Sequence, residues 1–215
     1  MSTKDIQIMQ DINAENDRIA KGIQSGLKNK GIYGVNVIGA PGAGKTSTLV
    51  RIISGLSGIK CYVVEGDIQS DIDTDKLLAL GIEAVQIHTG GACHIDGNVL
   101  EAILPRLSLN EKGVLFIENI GNLVCPAEFD IGENMKMLIV TVTEGSDKPY
   151  KYPLAFEKAE LILINKADLL PYVDFDMAYF IKGVRALNPD VPVFEVSAKT
   201  GEGFDGVIAW LRGRL

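Results

Sequence analysis

The sequence predicts an α/β fold: a doubly wound, mostly parallel sheet with helices on both faces. Three observations predict it. From residue 33 onward short apolar runs alternate with amphipathic stretches, the signature of strands joined by crossover helices. Runs such as Leu161 to Ile164 are apolar without interruption, as strands covered on both faces are. Residues 39–46, Gly-Ala-Pro-Gly-Ala-Gly-Lys-Thr, complete the pattern G-x-x-x-x-G-K-[ST]. They stand between an apolar run and a helical stretch, the context that gives this pattern its meaning.

The elements follow in order. Residues 4–30 place Ile6, Met9, Ile12, Ile19, Ile23 and Leu27 at mostly helical spacing, which predicts one or two amphipathic helices packed beside the sheet. Residues 1–30 are thus expected as a helical segment and 31–215 as the nucleotide-binding domain. Strands are expected at 33–38, 60–65, 84–88, 113–118, 137–143, 160–165 and 192–196. Helices are expected at 44–56, 71–80, 96–106, 174–187 and 203–213. Residues 144–155, with Gly145, Pro149 and Pro153, are expected as the longest loop. No internal repeat or linker divides the chain.

Composition narrows the class. The 215 residues are 47% apolar, enough for one large domain with a sizeable core. A formal charge of −7 argues against a sequence-independent grip on nucleic acid, which needs a basic surface. No run of about 18 apolar residues predicts a membrane span. The polar, acidic stretch from Met1 to Asn16 does not read as a secretory signal. Three cysteines are sparse and odd in number, so a reduced, cytoplasmic protein with thiols available to metals is expected.

The P-loop defines the first half of the expected site. Gly39, Gly42 and Gly44 let the backbone turn tightly and aim its N–H groups at phosphate oxygens, with Ala43 and Ser47 completing the set. The helix that follows presents its positive end to the same anion. Lys45 reaches the β- and γ-phosphates, and Thr46 offers a hydroxyl to Mg2+. Asn165-Lys166-Ala167-Asp168 gives N-K-x-D at a strand end and selects the base. Asp168 can accept from N1–H and the exocyclic amine of guanine, donors that adenine lacks there. Asn165 is expected to brace the loop, Lys166 to pack over the ring, and Ser197-Ala198-Lys199 to meet the guanine carbonyl. The two motifs lie roughly 120 residues apart, and together they point to GTP and GDP.

Glu118 opens Glu-Asn-Ile-Gly at the end of a strand. A carboxylate there can hold Mg2+, and Gly121 can offer its N–H to the γ-phosphate. Asp67 is the second well-placed acid, with Glu65 and Asp71 as nearby competitors.

Cys93 and His94 follow one strand, and Cys125 follows another, seven residues beyond Glu118. In a parallel sheet the loops after the strands crowd one edge. Singly, each cysteine is as well explained as a small buried apolar residue. Together, on the phosphate edge, they are a soft ligand set suited to Ni2+ or Zn2+. Cys61 lies within a strand and is expected in the core. His88 is a weak spare.

Three further stretches carry a resemblance: Gly91-Ala-Cys-His-Ile-Asp96, Glu118-Asn-Ile-Gly-Asn-Leu-Val-Cys-Pro-Ala127 with Phe129-Asp130, and Lys148-Pro-Tyr-Lys-Tyr-Pro153. Over residues 33–215 the chain resembles the HypB family of nickel-insertion GTPases, in the SIMIBI class of P-loop proteins. The resemblance implies delivery of nickel to the large subunit of [NiFe]-hydrogenase, with the zinc-binding accessory protein HypA as partner. It also implies homodimerisation promoted by nucleotide, with Cys93, His94 and Cys125 binding nickel or zinc near the interface. Leu169 and Val173 match a family dimer contact. Lys45, Asp67 and Glu118 are the expected catalytic set. Two departures stand out. The sequence has no C-x-x-C-G-C motif or histidine-rich stretch near residue 1, so tight nickel storage is not expected there. Ala40 also stands where many SIMIBI members carry a trans-acting lysine, leaving Lys148 or Lys151 as substitutes.

Two other classes fit parts of the pattern. One is a GTP-dependent interaction switch with structural cysteines, and the other is an ATP-dependent small-molecule kinase. Within the GTPase class the nearest rivals are the urease-nickel GTPase, which typically shows a Cys-Pro-His motif absent here, and the cobalamin-enzyme chaperone GTPase.

Overall fold

The computed structural model describes residues 3–66, 77, 81–87 and 91–215, with side chains of the first helix from residue 14 onward. That helix, α1, is a single element from Thr3 to Asn29, rather than two. Its residues Ile19, Ile23 and Leu27 are buried. Their spacing of four puts them on one stripe, and each contributes about 1.5–3 kcal/mol by leaving water.

Seven strands form one sheet in the order β3-β2-β4-β1-β5-β6-β7. They are β1 (Ile32–Gly39), β2 (Lys60–Glu65), β3 (Glu83–Gln86), β4 (Gly113–Glu118), β5 (Met135–Thr141), β6 (Leu161–Asn165) and β7 (Val193–Glu195). Every registered pair is parallel. All seven expected strands are present, with ends moved by a residue or two. The expected helix at 71–80 lies outside the described residues except for Leu77, as do Asp67, Asp71 and His88.

The strands alternate between two cores. Val35, Val37, Cys61, Val63, Val114, Phe116, Leu161 and Leu163 point to one face. There they meet α2 (Lys45–Gly55) and the C-terminal helix. On the other face Tyr62, Val64, Leu115 and Ile117 meet α1 and α3 (Gly97–Ile103). Ile38, Leu138, Val140, Ile162 and Ile164 continue that second face.

The expected loop at 144–155 is a correction. A 3-10 turn at Val142–Glu144 leads into it, and it holds two short helices. After α4 (Cys125–Glu128) these are α5 (Lys148–Lys151) and α6 (Pro153–Glu157). Pro149 and Pro153 sit in first turns, where a missing N–H costs nothing; they start helices here and do not break them. The expected helix 96–106 ends at Ile103 and tightens to a 3-10 turn over Leu104–Arg106. The chain closes with α7 (Met177–Leu187) and α8 (Phe204–Arg212).

Candidate nucleotide and metal site

Because all strands run parallel, the loops after β1, β3, β4, β6 and β7 meet at one edge. The P-loop leaves β1 at Gly39 and enters α2 at Lys45. Gly44 has φ of 82°, the left-handed region that an L side chain adopts only with strain. A Cβ there would also lie 2.6 Å from Nδ2 of Asn165. The phosphate loop and the N-K-x-D loop are therefore in direct contact. Lys45 is buried, and its Nζ turns back to the Ala40 carbonyl at 3.5 Å.

Thr46 Oγ1 donates to Glu118 Oε1 at 2.9 Å. This brings a hydroxyl and a carboxylate, both hard oxygen ligands, to one point beside the P-loop, and such a donor set fits Mg2+. Gly121 lies against the loop so closely that a Cβ would stand 2.8 Å from the Pro41 nitrogen. A cavity of about 290 Å3 is lined by Gly42, Gly44, Lys45, Thr46, Ser47, Glu118 and Gly121 among others. A second, of about 320 Å3, is lined by Gly44, Ser47, Asn165, Lys166, Asp168, Leu169, Ala198 and Lys199. The two share Gly44 and Ser47, so a phosphate compartment opens beside a base compartment. A third cleft, about 450 Å3, lies under α1 at the opposite end of β5. Its buried charges, Lys136 and Glu133, pair with each other at 2.5 Å.

The base compartment is held by internal hydrogen bonds. Asn165, at the end of β6, donates from Nδ2 to the Ala43 carbonyl at 2.9 Å and accepts from the Ala198 N–H at 3.1 Å. It thus ties P-loop, base loop and Ser-Ala-Lys loop together. Lys166 Nζ donates to the Gly42 carbonyl at 2.8 Å, so its stem lies along the base compartment. Ser197 Oγ donates to Asp168 Oδ1 at 2.6 Å and accepts from the Thr200 N–H at 3.1 Å. Ser197 thereby orients the carboxylate. Arg51 clamps the same loop, donating to the Ala198 and Lys199 carbonyls at 2.9 Å each.

At the other end, Cys93 Sγ lies 3.3 Å from Cys125 Sγ and 3.4 Å from His94 Nδ1. One ligand atom from each of the three falls within 4.8 Å of the others. Cys93 is exposed and Cys125 and His94 are half-buried, whereas structural cysteines belong in a core. Cys61 is the buried one, and burial pushes its thiol up to about 11. The hydrogen bond to Cys125 raises the Cys93 thiol. Burial lowers His94, which favours the neutral imidazole a metal requires. The His94 ring stacks on Phe129 with centroids 4.8 Å apart. Three ligands leave a coordination position open.

Two asparagines that sequence reasoning passed over join this cluster to the nucleotide loops. Asn122 donates from its backbone N–H to the Gly39 carbonyl at 3.0 Å. Its Nδ2 donates to the Cys93 carbonyl at 3.1 Å, and its Oδ1 accepts from the Val124 N–H at 2.9 Å. Asn119 is 1% exposed. Its Oδ1 accepts from the N–H groups of Ile95 at 2.9 Å and Ile120 at 3.0 Å, while its Nδ2 donates to Asn36 Oδ1 at 3.2 Å. A usable signal existed for Asn36, a lone amide inside an otherwise apolar strand.

The substitute lysines are both partnered within their own segment. Lys148 pairs with Glu144 at 3.5 Å and Lys151 with Asp147 at 2.6 Å. Leu169 and Val173 are half-buried beside the second core face.

Fold and site define the class: residues 34–195 match the CobW/HypB/UreG, nucleotide-binding domain family. Within it the chain belongs to the HypB family. It is 47% identical over 207 residues to the hydrogenase maturation factor HypB of Azotobacter vinelandii, covering 96% of this chain and 68% of that protein. The solved HypB of Archaeoglobus fulgidus superposes with a TM-score of 0.87 at 38% identity, over 93% of this chain and 98% of that one. HypB from Helicobacter pylori, solved in complex with nickel, gives a TM-score of 0.87 at 33% identity, over 93% and 94% of the two chains.

Proposed function

We propose that this HypB-family protein is a GTPase that binds nickel and assists its insertion into [NiFe]-hydrogenase, with nucleotide state governing its hold on the metal. One observation carries the proposal. Glu118 bonds to Thr46 of the P-loop, and the strand-end segment it opens runs on to Cys125, which touches Cys93. The names and the nickel complex of the relatives support the same cargo.

Asp168 selects guanine, aided by Asn165, Lys166 and the Ser197-Ala198-Lys199 loop. The N–H groups of Gly39 to Ser47 and the Lys45 ammonium receive the phosphates. Thr46 and Glu118, with Asp67, would hold Mg2+, which would supply charge neutralisation on the phosphates. Gly121 contacts the γ-phosphate, and hydrolysis removes that contact. The segment from Glu118 to Cys125 then relaxes and metal transfer follows. Intrinsic hydrolysis is slow, because among the described residues no arginine or glutamine lines the phosphate cavity. Nickel is the transferred ion, and Zn2+ is the competing occupant of the same ligands. The working unit is a nucleotide-promoted homodimer using Leu169 and Val173. HypA and the hydrogenase large subunit act as partners in the cytoplasm.

The test is nickel titration of the wild type and of Cys93→Ala and Cys125→Ala, alongside GTP hydrolysis. Both variants should lose nickel affinity and retain GTP binding. Unchanged nickel affinity in both would refute the assignment.

A further inference from the structure

Groups that bond to both loops give nucleotide and metal a route of mutual influence beside the one through Cys125 itself. The structure places two such groups around His94. Asn122 holds the Cys93 carbonyl, one residue before it. Asn119 holds the Ile95 N–H, one residue after it. Both asparagines belong to the segment that begins at Glu118, the partner of Thr46. Asn122 is also bonded through its own N–H to Gly39, the first P-loop residue. The Cys93–His94 loop is thus pinned on both sides of the imidazole to the segment expected to respond to the γ-phosphate.

The amide chemistry fits only one way round. Asn119 Oδ1 faces two N–H donors, and its Nδ2 faces the Asn36 oxygen. Asn36 Nδ2 in turn donates to Glu133 Oε1 at 3.1 Å, and Glu133 Oε1 meets Lys136 Nζ at 2.5 Å. A buried amide bonded at both its oxygen and its nitrogen is held in place, so Asn119 is a fixed point. Asn122 is half-exposed, with its donor on the metal loop and its acceptor on Val124 beside Cys125. It therefore addresses both cysteine ligands at once.

We propose that Asn119 and Asn122 are positioning residues that transmit nucleotide state to the nickel ligands, Asn119 as anchor and Asn122 as the moving clip. This rests on the nickel-GTPase reading above. A shift of the Glu118–Cys125 segment moves the Cys93 carbonyl through Asn122 while Asn119 holds Ile95. The spacing of Cys93, His94 and Cys125 then changes, and with it metal affinity.

The test compares Ni2+ affinity with Mg-GDP and with a non-hydrolysable Mg-GTP analogue, read from nickel–thiolate charge-transfer absorption. In the wild type the analogue should tighten nickel by about tenfold. Asn122→Asp keeps the acceptor for Val124 but cannot donate to Cys93. Asn122→Ala removes the same donor without adding charge, so a loss shared by both variants belongs to the missing contact. In Asn122→Asp and in Asn122→Ala the ratio should fall below about twofold, with GDP affinity and thermal midpoint near wild type. Retention of the wild-type ratio by either variant, or no ratio in the wild type, overturns the proposal. Failure of the parent reading looks different: Cys93→Ala and Cys125→Ala would then bind nickel as the wild type does.

Discussion

The two ends of the site are built on opposite plans. At the base end the loops are tied down by protein partners: Asn165 bridges two loops, Ser197 holds Asp168, and Arg51 clamps the loop from outside. At the other end the candidate metal ligands gather at the surface, Cys93 exposed and Cys125 half-buried. A base pocket must reject adenine, and rigid, prearranged acceptors make rejection costly for the wrong ligand. A transfer site must release its ion to another protein, so its ligands need access and some freedom. The difference is what the proposed function needs, with recognition at one end and exchange at the other.

The sharpest way to break this contrast is Asp168→Asn. The rigid pocket should then turn against guanine, lowering GTP affinity on the order of 10³-fold while favouring xanthosine triphosphate, whose C2 carbonyl can accept from the new amide. Competition binding with the two nucleotides reads the outcome directly, and unchanged GTP preference would mean that Asp168 does not meet the base. Next comes Cys125→Ala. Loss of a direct ligand should weaken nickel by about 10²-fold or more, beyond the usual effect of groups one step removed.

Thiol labelling sharpens the same contrast. At pH 8 Cys93 and Cys125 should react with iodoacetamide and be protected by nickel. Cys61, whose folded-state value is raised to about 11 by burial, should stay unmodified. An acid whose value rises on folding favours the native state below its unfolded value. The Cys61 contribution is therefore complete below about pH 8.5 and is lost as pH climbs toward 11. Labelling of Cys61 at pH 8 would contradict its place in the core.

The smallest effect is expected at α1. Asn16 is buried, donates to the Asp130 carbonyl at 2.8 Å, and accepts from the Gly97 N–H at 3.1 Å. Asn16→Ala strands both groups and should cost about 1–3 kcal/mol, seen as a lower urea midpoint with nucleotide selectivity intact.

The two ends also differed in how far the sequence exposed them. Apolar runs such as Leu161 to Ile164 made the strands legible, because both faces of a parallel sheet must be buried. The P-loop and N-K-x-D motifs were legible because their chemistry is local and their spacing fixed. The cysteine cluster was legible only through topology: residues 93 and 125 meet because parallel strands bring their following loops to one edge. Asn119 and Asn122 were not legible, since an asparagine becomes a clip only when a particular N–H or carbonyl is folded against it. Lys166 and Ser197 were read toward the base; their bonds to the Gly42 carbonyl and to Asp168 were not legible, because each depends on a neighbouring loop. The helices α5 and α6 were hidden by their own prolines, which end a helix from inside but begin one from the first turn.

Coupling between the ends must act in both directions, because linked binding free energies are reciprocal. The most direct measurement is the affinity of the wild-type chain for a non-hydrolysable GTP analogue, with and without saturating Ni2+, at fixed Mg2+. Nickel should tighten the analogue by about the same tenfold by which the analogue tightens nickel. An affinity unmoved by nickel would show the two pockets to be merely neighbours.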